Sequence, residues 1–229
     1  MMFFDPVYFV FVGPALLLAL WASFYTKSTF RKYSKSASSS GLTGAEAASR
    51  MLQAHGIGGV RIESVGGMLT DHYDPGTQTL RLSKGVYSSP SLAAVGIACH
   101  EAGHALQHAQ SYTWLGLRTS LVPVTSVCSN LSYWFIIGGF FLRPLLLVGV
   151  VMFAIAVVFS IITLPVEWNA SARAKRAMVQ AGIVTPTELP HAKAVLNAAF
   201  LTYVAAAFTA VMQLLYYLLR TGVLGGGDD

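Results

Sequence analysis

Along the chain, charge disappears four times. Residues 7–25, 119–142, 144–166 and 194–219 contain no Asp, Glu, Lys or Arg, and each is near the ~20 residues an α-helix needs to cross a hydrocarbon core. Four transmembrane helices are predicted, at 7–26, 117–141, 143–166 and 197–220. Between the first two lies a polar domain, 29–112, of roughly 80 residues, short for a self-sufficient core. It opens with the linker YSKSASSSG, after which Thr43 and Glu46 form a capping box for a helix that stops before Gly56. Two β-like runs follow, 60–65 and 77–83, joined by GGMLTDHYDPG. The Asp-Pro-Gly turn chemistry of that joint predicts a hairpin. From Ser91, apolar residues recur at three- and four-residue spacing to about Gln110, which predicts a helix. There is no internal repeat, and no low-complexity tract beyond the serine linker and the GGGDD tail.

Composition agrees with the bilayer as solvent: 54% of residues are hydrophobic and 11% charged, with a mean hydropathy of +0.57. The first apolar stretch is preceded by Asp5 and followed by Lys27, Arg31, Lys32 and Lys35, the reverse of a secretory signal peptide, and reads as a retained anchor. The positive-inside rule places that basic cluster in the cytoplasm, the N-terminus outside, and the polar domain inside. Counting spans returns 167–193 to the same side, and this segment carries Arg173, Lys175, Arg176 and Lys193, against Arg143 alone in the opposite turn. The expected location is the cell (plasma) membrane, multi-pass, with the net charge of +5 reporting topology rather than nucleic-acid binding. Cys99 and Cys128 offer no disulfide framework.

The chemistry concentrates in CHEAGHALQHAQ, residues 99–110. On a helix, His100 and His104 stand on one face about one turn apart and can present two imidazole nitrogens to one metal ion. Glu101 projects beside them, where a carboxylate can take a proton from an attacking water. This is the HExxH pattern of zinc peptidases. His108 lies ~12 Å along the axis from His100, too far to share an ion with bonds of ~2.0–2.1 Å. A glycine that would break the helix to bring in a third histidine is also absent after His104. The third ligand must come from elsewhere, and acids are scarce: after Glu101 only Glu167, Glu188, Asp228 and Asp229 remain. The last two sit on a tail expected outside, and Glu188 lies in the proline-flanked loop TPTELP. Glu167, in LPVEWNASARA, follows Pro165, read as the exit from the third span and the start of a new helical run. A helix-borne ligand is the better preorganised choice, so Glu167 is expected to complete the set, with an open position for water. Ligand type favours Zn2+ over manganese or iron. Asp71 and His72, in TDHYDP, either support the site or make a turn. Arg173 either stabilises an oxyanion, pairs with a supporting carboxylate, or is a positive-inside charge.

LTDHYDP, HEAGHALQ, LRTSLVPV and LPVEWNASARA, in this order and separated by apolar spans, resemble the YugP-like family of membrane-bound neutral zinc metallopeptidases over nearly the whole chain. The layout is also similar to HtpX-like and CAAX prenyl proteases. The resemblance implies a zincin-like fold in the cytoplasmic α+β domain, with His100, His104 and Glu167 as zinc ligands and Glu101 as catalytic base. Members often carry Asp where this chain has Asn169, which leaves open any supporting role there that depends on charge.

The expected function is peptide hydrolysis at the cytoplasmic membrane face, with an extended substrate adding to the edge of the 77–83 strand. The rival reading is a zinc-binding scaffold or sensor without turnover. A site-2-type intramembrane protease is excluded, because no span contains Asp or Glu. Expected partners are a peptide or membrane-protein substrate and the lipid bilayer, with membrane-protein partners or a homo-oligomer left open and no nucleic acid.

Overall fold

The computed structural model describes residues 5–67, 70–139 and 141–222. In chain order the elements are α1 (Pro6–Tyr33), α2 (Gly44–Ala54), β1 (Arg61–Val65), β2 (His72–Asp74), β3 (Thr79–Ser83), α3 (Lys84–Tyr87), α4 (Leu92–Ala109), α5 (Thr113–Gly138), α6 (Arg143–Gln180) and α7 (Leu189–Arg220). Among the described residues four helices, α1, α5, α6 and α7, are long and apolar enough to cross a membrane, with best windows of mean hydropathy 2.0, 1.3, 3.1 and 1.8. The chain is a membrane protein built mostly of helix, with one small sheet.

Two compact units emerge. The first draws on Met1–Ser23, Leu117–Leu164 and Thr202–Asp229. Here α5 and α6 approach backbone to backbone, since a Cβ on Gly149 would lie 2.8 Å from the amide nitrogen of Ile136. Tyr216 donates a hydrogen bond to Asp5 Oδ2 at 2.9 Å, and Arg220 stands 3.7 Å from the same oxygen. The start of α1 and the end of α7 therefore meet.

The second unit, Phe24–Gly116 and Pro165–Leu201, holds the sheet and the histidine helix. Its core is built from Met51, Leu80, Leu82, Val86, Val95, Ala102, Met178, Ile183 and Leu196, all essentially buried. The expected capping box is present: the Thr43 hydroxyl accepts from Glu46 N and the Glu46 carboxylate accepts from Thr43 N at 2.8 Å. Ser91 caps α4, accepting from Ala94 N at 3.2 Å.

The sheet corrects the predicted hairpin. Its order is β1-β3-β2, with β1 parallel to β3 from Arg61↔Thr79 to Val65↔Ser83, and β2 antiparallel to β3, with Tyr73 opposite Leu80. The joint between the two β-like runs contains a short strand of its own, so the chain reverses twice and the true hairpin is β2–β3. Its turn is held by Asp74, whose Oδ1 accepts from Gly76 N at 2.9 Å and whose Oδ2 accepts from Thr77 Oγ1 at 2.7 Å. The central strand is β3, paired on both sides, so the 77–83 run has no edge to offer a substrate. Pro165 is the second correction: it lies inside α6, which continues to Gln180 without a new start. A buried face made of Val166, Glu167, Ala170, Ser171, Ala174 and Met178 carries the helix past the missing amide.

Candidate metal centre

The most deeply buried helix surface belongs to α4, where every residue from Leu92 to Gln107 except Ile97 and His100 is buried. His100 and His104 project from successive turns, their rings edge to face with centroids 4.9 Å apart. Glu167, on α6 and 1% exposed, places Oε2 at 3.1 Å from His100 Nε2 and 3.6 Å from His104 Nε2. One ligand atom from each of the three lies within 4.8 Å of the others. The two helices come this close because residue 103 is glycine: a Cβ there would sit 2.6 Å from the carbonyl oxygen of Ala170.

Behind the ligand atoms, each ring is held by its other nitrogen. His100 Nδ1 meets Ser171 Oγ at 3.0 Å, and His104 Nδ1 meets Gln107 Oε1 at 3.0 Å. The Gln107 amide has one consistent orientation, because its nitrogen donates to two acceptors, the Val166 carbonyl at 2.8 Å and Asn169 Oδ1 at 3.0 Å. Its oxygen therefore accepts from His104 Nδ1–H, leaving the His104 Nε2 lone pair turned towards Glu167. Asn169 Oδ1 also accepts from Arg173 Nε at 2.6 Å. Arg173 Nη1 donates to Gln110 Oε1, and its guanidinium stands 5.7 Å from the Tyr112 ring. Two imidazole nitrogens, each ring held by a hydrogen bond at its other nitrogen, and one carboxylate oxygen are a donor set that fits zinc.

The structure thus brings together His100, His104 and Glu167, with Asn169 and Arg173 two and three hydrogen bonds behind His104, through Gln107. Glu101 follows His100 on α4, turned about 100° round the helix, and is 9% exposed. Asp71 and His72 are occupied elsewhere: Asp71 Oδ1 accepts from Ser83 N at 2.7 Å, and His72 Nδ1 meets the Thr70 carbonyl at 2.8 Å. In the same segment the Arg81 guanidinium holds the Asp74 carboxyl well below the usual carboxylate range, a further sign that this stretch is structural. His108 stays out of the ligand set and bonds Tyr73 OH through Nδ1 at 2.8 Å. Cys99, beside His100, is fully buried, and burial pushes its thiol far above the ordinary range, so it offers no thiolate. Glu188 binds Ser39 and Thr185 instead. Gly103, Gln107 and Ser171 were not singled out from the sequence. A glycine between two histidines in mid-helix, and an amide three residues after the second, were the available signals.

Residues 8–222 match the family described as "Putative neutral zinc metallopeptidase". The chain is also 46% identical over 224 residues to "Putative membrane protease YugP" of Bacillus subtilis (strain 168), covering 96% of this chain and 99% of that relative. No solved structure matches the chain.

Proposed function

The chain belongs to this neutral zinc metallopeptidase family, and from that premise we propose that it is a membrane-embedded metalloendopeptidase cleaving peptide bonds at the cytoplasmic membrane face. The observation that carries the reading is the convergence of His100, His104 and Glu167 within 4.8 Å, with Glu101 in the HEAGH segment beside them. Zinc held there supplies Lewis-acid polarisation of a carbonyl and activation of water. Glu101 takes a proton from the attacking water on its carboxylate and delivers it to the leaving nitrogen. Gln107 and Ser171 hold the Nδ1 side of each imidazole, so that both Nε2 atoms face Glu167 and the position a metal would take. Asp71 and His72 have a turn-forming role in this reading, while Asn169 and Arg173 act by positioning His104.

The substrate is an extended peptide or a segment of a membrane protein. With β3 paired on both sides, such a segment has β1 or β2 as its available edge. The cytoplasmic assignment is supported by charge: Lys27, Arg31, Lys32, Lys35, Arg173, Lys175, Arg176 and Lys193 all fall in the unit that holds the candidate centre. The test is a mass-spectrometric cleavage screen of purified wild type against Glu101→Gln. Zinc bound by both and cleavage by the wild type alone is the expected result. Cleavage retained by the variant refutes the base assignment. Zinc bound with no turnover by the wild type favours the scaffold reading.

A further inference from the structure

On the side of α6 away from the ligand atoms, Arg173 and Arg176 stand three residues apart and open, with His55, Gln110 and Gln180, into a cleft of about 350 Å³. Like charges at this helical spacing repel, and among the described residues neither guanidinium meets a carboxylate. No described residue lining the cleft carries a carboxylate, and six acids are engaged elsewhere: Glu46 with Thr43, Glu188 with Ser39 and Thr185, Asp71 with Ser83, Glu63 and Asp74 with Arg81, and Glu167 with the imidazoles. Arg173 uses Nε on Asn169 and one Nη1 proton on Gln110, so three of the five N–H donors of its guanidinium remain. Two planar guanidinium forks in one polar cleft match a doubly charged tetrahedral oxyanion in charge and in donor geometry.

The cleft lies behind His104. Arg173 reaches that ring through Asn169 and Gln107, at Nδ1, whereas Nε2 points to Glu167. The cleft therefore connects to the face of the His104 ring opposite the ligand atoms. We infer that the Arg173–Arg176 cleft binds a phosphate group, and that the bound phosphate braces Arg173 and through it the support of His104. Inorganic phosphate and the phosphodiester of an anionic phospholipid headgroup share these tetrahedral oxygen acceptors, the diester with one negative charge where inorganic phosphate carries up to two.

The test uses the full-length chain in a phosphorus-free detergent, with Arg176→Gln as the variant and matching thermal unfolding as the check that it folds. Calorimetric titration of the metal-free wild type with inorganic phosphate should show binding that the variant weakens at least tenfold. In the zinc-loaded chain, phosphate should slow release of zinc to a chelator severalfold in the wild type and leave the variant unchanged. Nanodiscs of phosphatidylglycerol, compared with phosphatidylcholine, identify a headgroup as the source if they slow release without added phosphate in the wild type alone. No binding from either source, or equal binding by Arg176→Gln, overturns the site. Binding that leaves zinc release unchanged overturns the brace. Because phosphate binding is read without metal, its failure leaves the metallopeptidase reading standing, and a wild type that takes no zinc refutes that reading alone.

Discussion

Gly103→Ala is the most economical probe of how the candidate centre is assembled. The new Cβ would lie 2.6 Å from the Ala170 carbonyl oxygen, 3.2 Å from its carbon and 3.4 Å from its Cα. Carbon–oxygen contacts of this type settle at ~3.3 Å or beyond, so α4 and α6 must separate locally by roughly 0.7 Å. A metal site tolerates deviations of about 0.2 Å in its ligand distances. The required shift is several times larger, and it falls on the turn of α6 that follows Glu167 and precedes Ser171, so one ligand and one ring support move together. Overpacking of this size costs about 1–3 kcal/mol, which leaves the fold in place while the ligand set loosens. The expected result is a folded protein whose zinc affinity, measured by competition with a chromophoric chelator, falls about 10- to 100-fold, the range seen when the partners orienting a metal ligand are lost. Gly116→Ala is the control, because a Cβ there meets nothing within 4 Å. If Gly103→Ala holds zinc as tightly as the wild type, close approach of the two helices is not what positions Glu167, and the reasoning fails.

Gln107→Leu removes the acceptor for His104 Nδ1 and should weaken zinc binding about 10- to 100-fold in the same assay. Asn169→Asp should keep wild-type affinity, because one side-chain oxygen accepts from both Gln107 and Arg173; a marked loss would show that the amide nitrogen matters. For pH, burial alone would raise the Glu188 carboxyl, but the amides and hydroxyls of Thr185 and Ser39 bring it from 4.5 down to about 2. A carboxyl depressed in the folded state stabilises above its unfolded pKa and loses that contribution as pH falls through the folded value. Stability should therefore decline between about pH 4.5 and pH 2, and Glu188→Gln should flatten that part of the thermal-unfolding profile. An unchanged slope would mean that the Ser39–Glu188–Thr185 contacts do not persist in solution.

What could be read from the sequence was whatever had length or scarcity behind it. Four apolar runs, the Thr43–Glu46 box and the helical periodicity from Ser91 rest on local physics that needs no partner. Glu167 stood out because a chain so poor in acids leaves few candidates for a third ligand. The sheet was hidden because β2 has three residues, too few to show a period of two, and because Asp74, Pro75 and Gly76 read as turn whether or not a strand precedes them. The continuity of α6 was hidden because the local rule for Pro165 is to end a helix, and only burial of the following face overrides it. Gly103 shows most clearly how local and global demands part company. In a helix interior glycine costs about 1 kcal/mol relative to alanine, so propensity argues against it midway between the two histidines. The cost is offset on α6: only a residue without Cβ lets the Ala170 carbonyl approach. That approach sets Glu167 beside the two imidazoles and Ser171 behind one of them. The middle of the HEAGH segment is therefore as much a part of the candidate centre as its ends, through space it leaves empty rather than through an atom it supplies.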